Sequence, residues 1–141
     1  MDLADGTYWL YAYDNLGQVI SGKKYWSDNT PVAGQAFDYT FDDIGNRTSA
    51  SRHTEGKQIA AAPSFLAVPD QQVRTTAYTV NGLNQHSGRT VPGFVDVLGV
   101  AAPNATVTVN GQTTARKGGY FHAEVPVNNA SAPQFPTLNT T

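Results

Sequence analysis

The chain has no cysteine, little charge and no long apolar run, and each of these absences excludes a class of site or partner. None of its 141 residues is cysteine, which excludes disulfide bridges and thiolate metal sites. Charged residues make up 14% of the chain, against about 25% in an average soluble protein, and the formal net charge is −2. Such a chain has no field that attracts nucleic acid, so we expect no nucleic-acid partner. No apolar run reaches the roughly 20 residues of a membrane-spanning helix, so we expect no membrane span.

Helix signals are also poor, because glycine and proline interrupt nearly every window. The best helical segment is 59–62, and Pro63 ends it after one turn. The segments between the breakers contain many Val, Thr, Tyr and Phe residues, which favour strands. Asn110-Gly111 is the strongest two-residue hairpin signal. The chain is therefore predicted to be all-β, with short antiparallel strands and hairpins.

An internal repeat occupies the first half of the chain. Residues 11–18 match residues 39–46, class by class, at a spacing of 28. A weaker third copy runs from 78 to 84, with Asn at the acidic position and Asn in place of glycine. The pattern predicts a strand that ends in a sharp turn, where the Asp side chain accepts backbone N–H groups and Gly or Asn adopts the left-handed conformation. We also expect the aromatic side chains to fill a core, the apolar turn residue to fold back onto it, and neighbouring repeats to stack.

The pattern changes after about residue 90. The segment 94–111 reads as a strand, a Pro-Asn turn, a second strand and the Asn-Gly turn, and 116–126 adds a further turn and strand. This order resembles the first part of an immunoglobulin-like sandwich, which has about seven strands. The predicted domains are 1–89, a repeat-built β-sheet, and 90–141, a partial Ig-like β module with a polar C-terminal tail. We expect the tail, 131–141, to fray.

The repeated unit resembles the signature of the bacterial RHS/YD-repeat family, over about residues 7–90. The first copy of the Tyr-x-Tyr-Asp-x-x-Gly signature consists of Tyr11, Tyr13, Asp14 and Gly17. The second copy, which ends in the family's favoured Gly-Asn-Arg, consists of Tyr39, Phe41, Asp42, Gly45, Asn46 and Arg47. The segment from 90 to about 127 is similar to the small Ig-like modules that accompany such repeats.

The resemblance implies a non-catalytic structural role. Repeats of this family form a long β-sheet spiral that encloses a toxin or effector domain, or they mediate contact at the cell surface. It therefore implies secretion or surface display, although the first six residues show no secretory signal and the sequence by itself assigns no compartment. Two or three repeats enclose nothing, so we expect a fragment of a larger protein. Its partners would be the remainder of that protein or further copies joined through sheet edges.

Acidic turn residues leave a small Ca²⁺-dependent hydrolase open as an alternative. Calcium takes six to eight oxygen ligands, and Asp42 with Asp43 are the candidate ligands. A bound ion would polarise an ester, lactone or phosphodiester oxygen. Turn capping explains Asp14 and Asp42 without an ion, so the first expectation is no cofactor, with Ca²⁺ as the possible one. The full EF-hand spacing is absent.

Other candidate catalytic groups are dispersed. His53, His86 and His122 show no metal-ligand spacing, and we expect surface or loop positions for them. Ser87 follows His86, but adjacent residues of a strand point to opposite faces, so a Ser–His hydrogen bond is not expected there. No Gly-x-Ser-x-Gly motif occurs in the chain.

The aromatic residues leave a third function open. Trp9 and Trp26, together with the tyrosines, could stack on the rings of a carbohydrate. Within a repeat, however, an aromatic row is more often part of a core.

Overall fold

A computed structural model of the chain describes residues 2–53, 73–91 and 93–141. These residues contain no helix, and all of their strand pairs are antiparallel, which confirms the all-β prediction. It follows that none of them contributes to a helix able to cross a membrane. The helical turn predicted at 59–62 lies outside the described residues. The chain divides into two compact units, Met1–Pro92 and Gly93–Thr141.

The first unit contains a six-stranded meander, in which strands that follow one another in the chain are neighbours in the sheet. Its strands are β1 (Tyr8–Tyr13), β2 (Val19–Tyr25), β3 (Pro31–Phe41), β4 (Arg47–His53), β5 (Val73–Val80) and β6 (His86–Arg89). An antiparallel meander reverses direction at every connection. The β1–β2, β3–β4 and β5–β6 turns therefore lie at one end of the sheet, and the β2–β3 turn lies at the other.

One face of this sheet carries a row of aromatic rings. Within β1 the Trp9 and Tyr11 rings are stacked with centroids 5.7 Å apart, and within β3 the Phe37 and Tyr39 centroids are 4.9 Å apart. Trp9 also contacts Phe37, at 6.0 Å. The two strands are separated by β2, where Gly22 lies opposite both Tyr11 and Phe37 and leaves room between them. The aromatic contacts thus link the first hairpin to the second.

The aromatic row is only partly covered. Tyr11 and Tyr13 expose 40% and 59% of their surface, so the expectation that the aromatic side chains fill a core is wrong for these two residues. The physical reason is their position on β1, an outer strand with a full neighbour on one side only. The opposite face carries polar side chains beside the buried Ala36. There the hydroxyl groups of Thr40 and Ser49 lie 2.6 Å apart, and those of Ser51 and Thr75 lie 2.9 Å apart.

The second unit has two groups of short strands that share one small core. Its strands are β7 (Phe94–Val100), β8 (Thr108–Val109), β9 (Gln112–Thr113), β10 (Ala115–Lys117) and β11 (Tyr120–Pro126). The strands β10, β11 and β7 form one sheet in that order, and β8 pairs with β9. Val107, Val109 and Phe121 are the buried centre, and apolar side chains of β7 and β11 pack against them.

The Asn-Gly hairpin predicted in this unit is confirmed. Val109 pairs with Gln112, so Asn110 and Gly111 are the two loop residues, and their φ values are 49° and 75°. Positive φ at both positions is the requirement of the type I′ turn, whose twist matches that of the flanking strands.

The end of the polar tail is paired rather than frayed. The Thr108 N–H donates to the Thr141 carbonyl at 2.8 Å, and the Thr141 N–H donates to the Thr108 carbonyl at 3.1 Å. The Asn110 N–H donates to the Asn139 carbonyl, also at 2.8 Å. The second edge of β8 offers backbone groups that need partners, and residues 139–141 supply them. The expectation of a frayed tail is therefore wrong for this end.

Arg116 holds the turn that precedes β8. Its guanidinium donates to the carbonyl oxygens of Ala102 at 2.9 Å, Ala105 at 3.0 Å and Gly118 at 3.1 Å. The predicted Pro-Asn turn lies between the first two of these carbonyls. One side chain therefore ties the turn to the β10–β11 hairpin.

Candidate functional site

Three turns of one geometry lie together at one end of the six-stranded sheet. We call the segments 14–18, 42–46 and 81–85 the capped turns. In each, the first N–H donates to the fifth carbonyl and the fourth N–H donates to the first carbonyl, at 2.9–3.1 Å. The fourth residue has a positive φ in all three turns, which is 79° at Gly17, 89° at Gly45 and 59° at Asn84. Each is a three-residue hairpin loop closed by a left-handed residue.

The first side chain of each capped turn accepts backbone hydrogen bonds, as the sequence predicts. The Oδ1 atoms of Asp14, Asp42 and Asn81 each accept the N–H groups of the third and fifth residues of their own turn, at 2.8–3.2 Å. Asparagine therefore caps this turn in the same way as aspartate. The charge of the carboxylate is not needed for the geometry.

Asp42 has an additional donor. The side-chain amide of Asn46 donates to its Oδ2 at 2.8 Å. This hydrogen bond, followed by those from the backbone N–H groups of the turn, lowers the pKa of Asp42 because each of them favours the charged carboxylate. Both carboxylate oxygens of Asp42 are thus engaged within its own turn.

The predicted calcium ligands lie next to each other at the second capped turn, where Asp43 is exposed at the tip. In the part of the chain that the structure describes, no group of three or more His, Asp or Glu side chains is placed to hold a metal ion. A calcium site at Asp42 and Asp43 stays a prediction, and further oxygen ligands would have to complete it.

The third residue of each capped turn is apolar and exposed. The exposed fractions are 73% for Leu16, 68% for Ile44 and 77% for Leu83. The expectation that this residue folds back onto a core is therefore wrong. Its backbone N–H is held by the capping side chain, and this places the residue at the tip of the loop, where its side chain projects beyond the end of the sheet.

A shallow groove of about 450 Å³ lies between the first two capped turns. Its lining is partly acidic and partly apolar. The acidic lining residues are Asp14, Asp42 and Asp43, and the apolar ones include Leu16, Ile20 and Phe41. The exposed tip residue Leu16 is part of this lining, and Ile44 and Leu83 are exposed at the same end, so the turn end of the sheet is the candidate interaction site of the first unit.

A second class of turn, whose capping side chain was not predicted from the sequence, has the same backbone hydrogen bonds. These turns are 3–7, before β1, and 26–30, between β2 and β3, at the opposite end of the sheet. The cap comes from the third residue here. Asp5 Oδ1 accepts the N–H and the hydroxyl of Thr7 at 3.0 and 2.6 Å, and Asp28 Oδ1 does the same for Thr30. The signal that would have found them is the repeated Asp-x-Thr triplet.

Arg47 joins the second and third hairpins. Its guanidinium carbon lies 5.2 Å from the ring centroid of Tyr39 and 4.7 Å from that of Tyr78. It also donates a hydrogen bond of 3.2 Å to the Tyr78 hydroxyl. The sequence marked Arg47 only as the end of a repeat signature, and the structure places it as a contact between repeats.

Two of the three histidines form cross-strand pairs with aspartates. His53 bonds Asp38 through Nε2, and His122 Nε2 lies 3.0 Å from Asp96 Oδ1. The histidine side chains are 11% and 5% exposed, so the expectation of surface or loop positions is wrong for them. Each aspartate lies two residues along its strand from the residue that pairs directly with the histidine. The two side chains therefore make the diagonal contact of an antiparallel pair.

The His53–Asp38 pair is not extended to a nucleophile within the part of the chain that the structure describes. The other ring nitrogen of His53, Nδ1, has no hydrogen-bond partner among the described residues. His86 packs on the Tyr78 ring at 5.2 Å, while the Ser87 hydroxyl donates to the carbonyl and hydroxyl oxygens of Thr79 at 3.3 and 3.2 Å. Ser87 is therefore not activated by its histidine neighbour, as the sequence predicts.

The residues of the predicted signature thus lie on two strands, in the capped turns and at the start of a third strand. Tyr11 and Tyr13 lie on β1, and Tyr39 and Phe41 lie on β3; the capped turns contain Asp14, Gly17, Asp42, Gly45 and Asn46, and Arg47 begins β4. Comparison of the chain with protein-family models, with curated proteins and with solved structures found no match.

Proposed function

We propose that the chain is a non-catalytic segment of the RHS/YD-repeat type, which serves as a structural scaffold within a shell or a surface-contact stalk of a larger protein. The observation that carries the proposal is the repetition of the capped turn. The three turns have the same backbone hydrogen bonds and the same side-chain cap, and they lie at the same end of one sheet. Such regular hairpins are typical of repeat arrays, in which each unit is stabilised by its neighbours.

Contacts between the hairpins support this role. Trp9 of the first hairpin contacts Phe37 of the second, and Arg47 of the second lies over Tyr78 of the third. A scaffold requires each repeat to contact the next one, so that the whole sheet resists bending.

The edges of the sheet are suited to further pairing. Among the described residues β6 pairs only with β5, and β1 pairs with β2 apart from a single bridge between Asp2 and Tyr8. An outer strand offers unpaired N–H and C=O groups to another strand. The next hairpin of a larger repeat protein, or the same edge of a second copy, would satisfy them.

Sedimentation velocity over a range of concentrations tests the proposal. The isolated chain is expected to associate as its concentration rises, because its sheet edges pair. Leu10→Lys, a charge added on the exposed side of β1, should weaken this association, since lysine on an edge strand opposes strand addition. Phe135→Lys, at an exposed position outside any strand, is the matched control. A chain that stays monomeric at every concentration would contradict the scaffold proposal.

Hydrolysis assays on the same preparations test the alternative function. Esters, lactones and phosphodiesters are offered in the presence of EDTA and again after Ca²⁺ is restored. The scaffold proposal predicts no turnover in either condition. Turnover that requires Ca²⁺, and that is lost in the double variant Asp42→Asn with Asp43→Asn, would overturn it in favour of the hydrolase.

A further inference from the structure

The three capped turns display an apolar row that nothing in the scaffold role requires. We propose that this end of the sheet binds a basic polypeptide segment that carries apolar side chains on one face. The apolar residues of the partner would lie against Leu16, Ile44 and Leu83, which are all more than two-thirds exposed. Its lysine or arginine side chains would lie at the groove between the first two capped turns.

The row has a regular spacing that a peptide can match. Successive capped turns are two strands apart in the sheet, and strands are 4.7–4.9 Å apart, so the turn tips recur at about 9.5 Å. In an α-helix, residues seven positions apart lie about 10.5 Å apart on the same side. An amphipathic helix with one apolar stripe therefore contacts neighbouring turn tips without distortion.

Charge decides which kind of apolar segment fits. The lining of the groove contains Asp14, Asp42 and Asp43, and the fifteen residues of the three capped turns include no lysine or arginine. Arg47 follows the second capped turn in the chain, but its guanidinium lies against the rings of Tyr39 and Tyr78. A basic partner is attracted to this end of the sheet, and an acidic one is repelled.

The mixed lining of the groove suits lysine and arginine in particular. These side chains carry an aliphatic stem and a charged head, so that the stem packs on apolar surface while the head stays at the polar rim. Here Leu16, Ile20 and Phe41 supply apolar surface, and the carboxylates lie beside it.

The probe is a fluorescein-labelled helical peptide of about two heptads, with leucine on one face and lysine on the other. It is titrated with the full chain, and binding is followed by fluorescence anisotropy. Two matched peptides replace either every leucine with serine or every lysine with glutamate. The leucine–lysine peptide is expected to bind at least tenfold more tightly than both.

Two double variants of the chain test the contacts. Leu16→Ser with Ile44→Ser removes the apolar tips, and Asp14→Asn with Asp43→Asn removes charge. Asn81 shows that asparagine caps this turn, so the second variant keeps its fold. Each variant is expected to lose at least tenfold in affinity. Phe135→Ser and Asp28→Asn, which change an exposed apolar residue outside the turns and an acidic residue at the opposite end of the sheet, should leave affinity unchanged.

Three results would overturn this proposal. The first is that the serine–lysine peptide binds as tightly as the leucine–lysine peptide. The second is that both double variants bind like the wild type, and the third is that no peptide binds. If Leu16→Ser with Ile44→Ser instead abolished an association between copies, the occupant would be a second copy and the basic partner would be wrong. Failure here is distinguishable from failure of the scaffold role, which is tested through Leu10 on β1.

Discussion

Phe37 lies directly opposite Gly22, and its ring occupies the space in which any other residue at position 22 would place a Cβ atom. A Cβ built on Gly22 lies 2.4 Å from Cζ and 2.6 Å from Cε1 of Phe37. The second unit repeats this arrangement, because a Cβ built on Gly99 lies 2.6 Å from the ring of the opposing Phe121. In both units an aromatic ring covers a glycine of the neighbouring strand, which is a recognised way of stabilising glycine in a sheet.

Gly22→Ala is therefore expected to destabilise the first unit by about 1–3 kcal/mol, the usual cost of overpacking. The Phe37 ring must move, and its contacts with Trp9 and Tyr39 weaken as it does. Urea unfolding measures the change. Gly82→Ala is the matched control, since a Cβ there meets nothing within 4 Å. Equal stability of the two variants would mean that the ring adapts without loss.

The cap of the first turn is expected to depend on the acceptor oxygen and not on its charge. Asp14→Ala removes two hydrogen bonds and should lower the free energy of unfolding by about 1 kcal/mol. Asp14→Asn should stay within about 0.5 kcal/mol of the wild type, because Asn81 makes the equivalent hydrogen bonds. The comparison is made by denaturant unfolding at neutral pH. A loss in Asp14→Asn as large as in Asp14→Ala would show that the charge matters.

Stability is expected to fall in acid through the capping carboxylates. Hydrogen bonds from Asn46 lower the pKa of Asp42, and the hydroxyl of Thr7 with its N–H lowers the pKa of Asp5. The folded-state pKa of each lies below the unfolded value of about 3.9, so their contribution is fully present above that pH and is lost as the pH falls through the folded-state pKa. Urea unfolding from about pH 6 down to about pH 2 should show this loss, and Asp42→Asn should make it shallower. Identical pH profiles would contradict the assignment to Asp42.

Arg47 is expected to need its planar guanidinium. Arg47→Lys keeps the charge but loses the stacking against Tyr39 and Tyr78, and we expect a loss of about 1 kcal/mol in unfolding free energy. Tyr78→Phe removes only the hydrogen bond to the hydroxyl and should cost less. If Arg47→Lys were as stable as the wild type, the stacked geometry would contribute nothing beyond charge.

Arg116→Lys tests the clamp in the second unit. Lysine cannot donate in the planar fork that reaches the carbonyls of Ala102, Ala105 and Gly118, so the turn at 103–104 should open more often. Hydrogen exchange at the Ala105 amide, which donates to the Ala102 carbonyl, is expected to become faster. Exchange at Val109, in the core of the same unit, is the internal reference. Unchanged protection at Ala105 would show that the turn holds without the clamp.

The capped turns were predictable because everything they need is local. The capping oxygen of Asp14 reaches N–H groups two and four residues ahead, and the left-handed conformation at the fourth position requires only glycine or asparagine. The Asn110-Gly111 hairpin was found for the same reason. The Asp-x-Thr caps are equally local, but they were not predicted, because the repeat pattern carries its acidic residue at the first position of the turn and not at the third.

Contacts across the sheet were not predictable, because they depend on register. Asp38 bonds a histidine 15 residues away, Asp96 bonds one 26 residues away, and Arg47 reaches a tyrosine 31 residues away. A shift of one residue in pairing would turn each of these side chains to the other face. The exposure of Leu16 was also missed, since apolar character alone predicts burial and only the loop geometry places it at a tip.

The sequence by itself determined the all-β class, the places where the chain turns and the chemistry that closes those turns. It could do so because strand alternation and turn capping act over a few neighbouring residues. Tertiary structure alone decided that the three apolar tips and the carboxylates meet at one end of the sheet. That meeting follows from the antiparallel meander, which returns every second connection to the same end and so brings together residues that are distant in the chain.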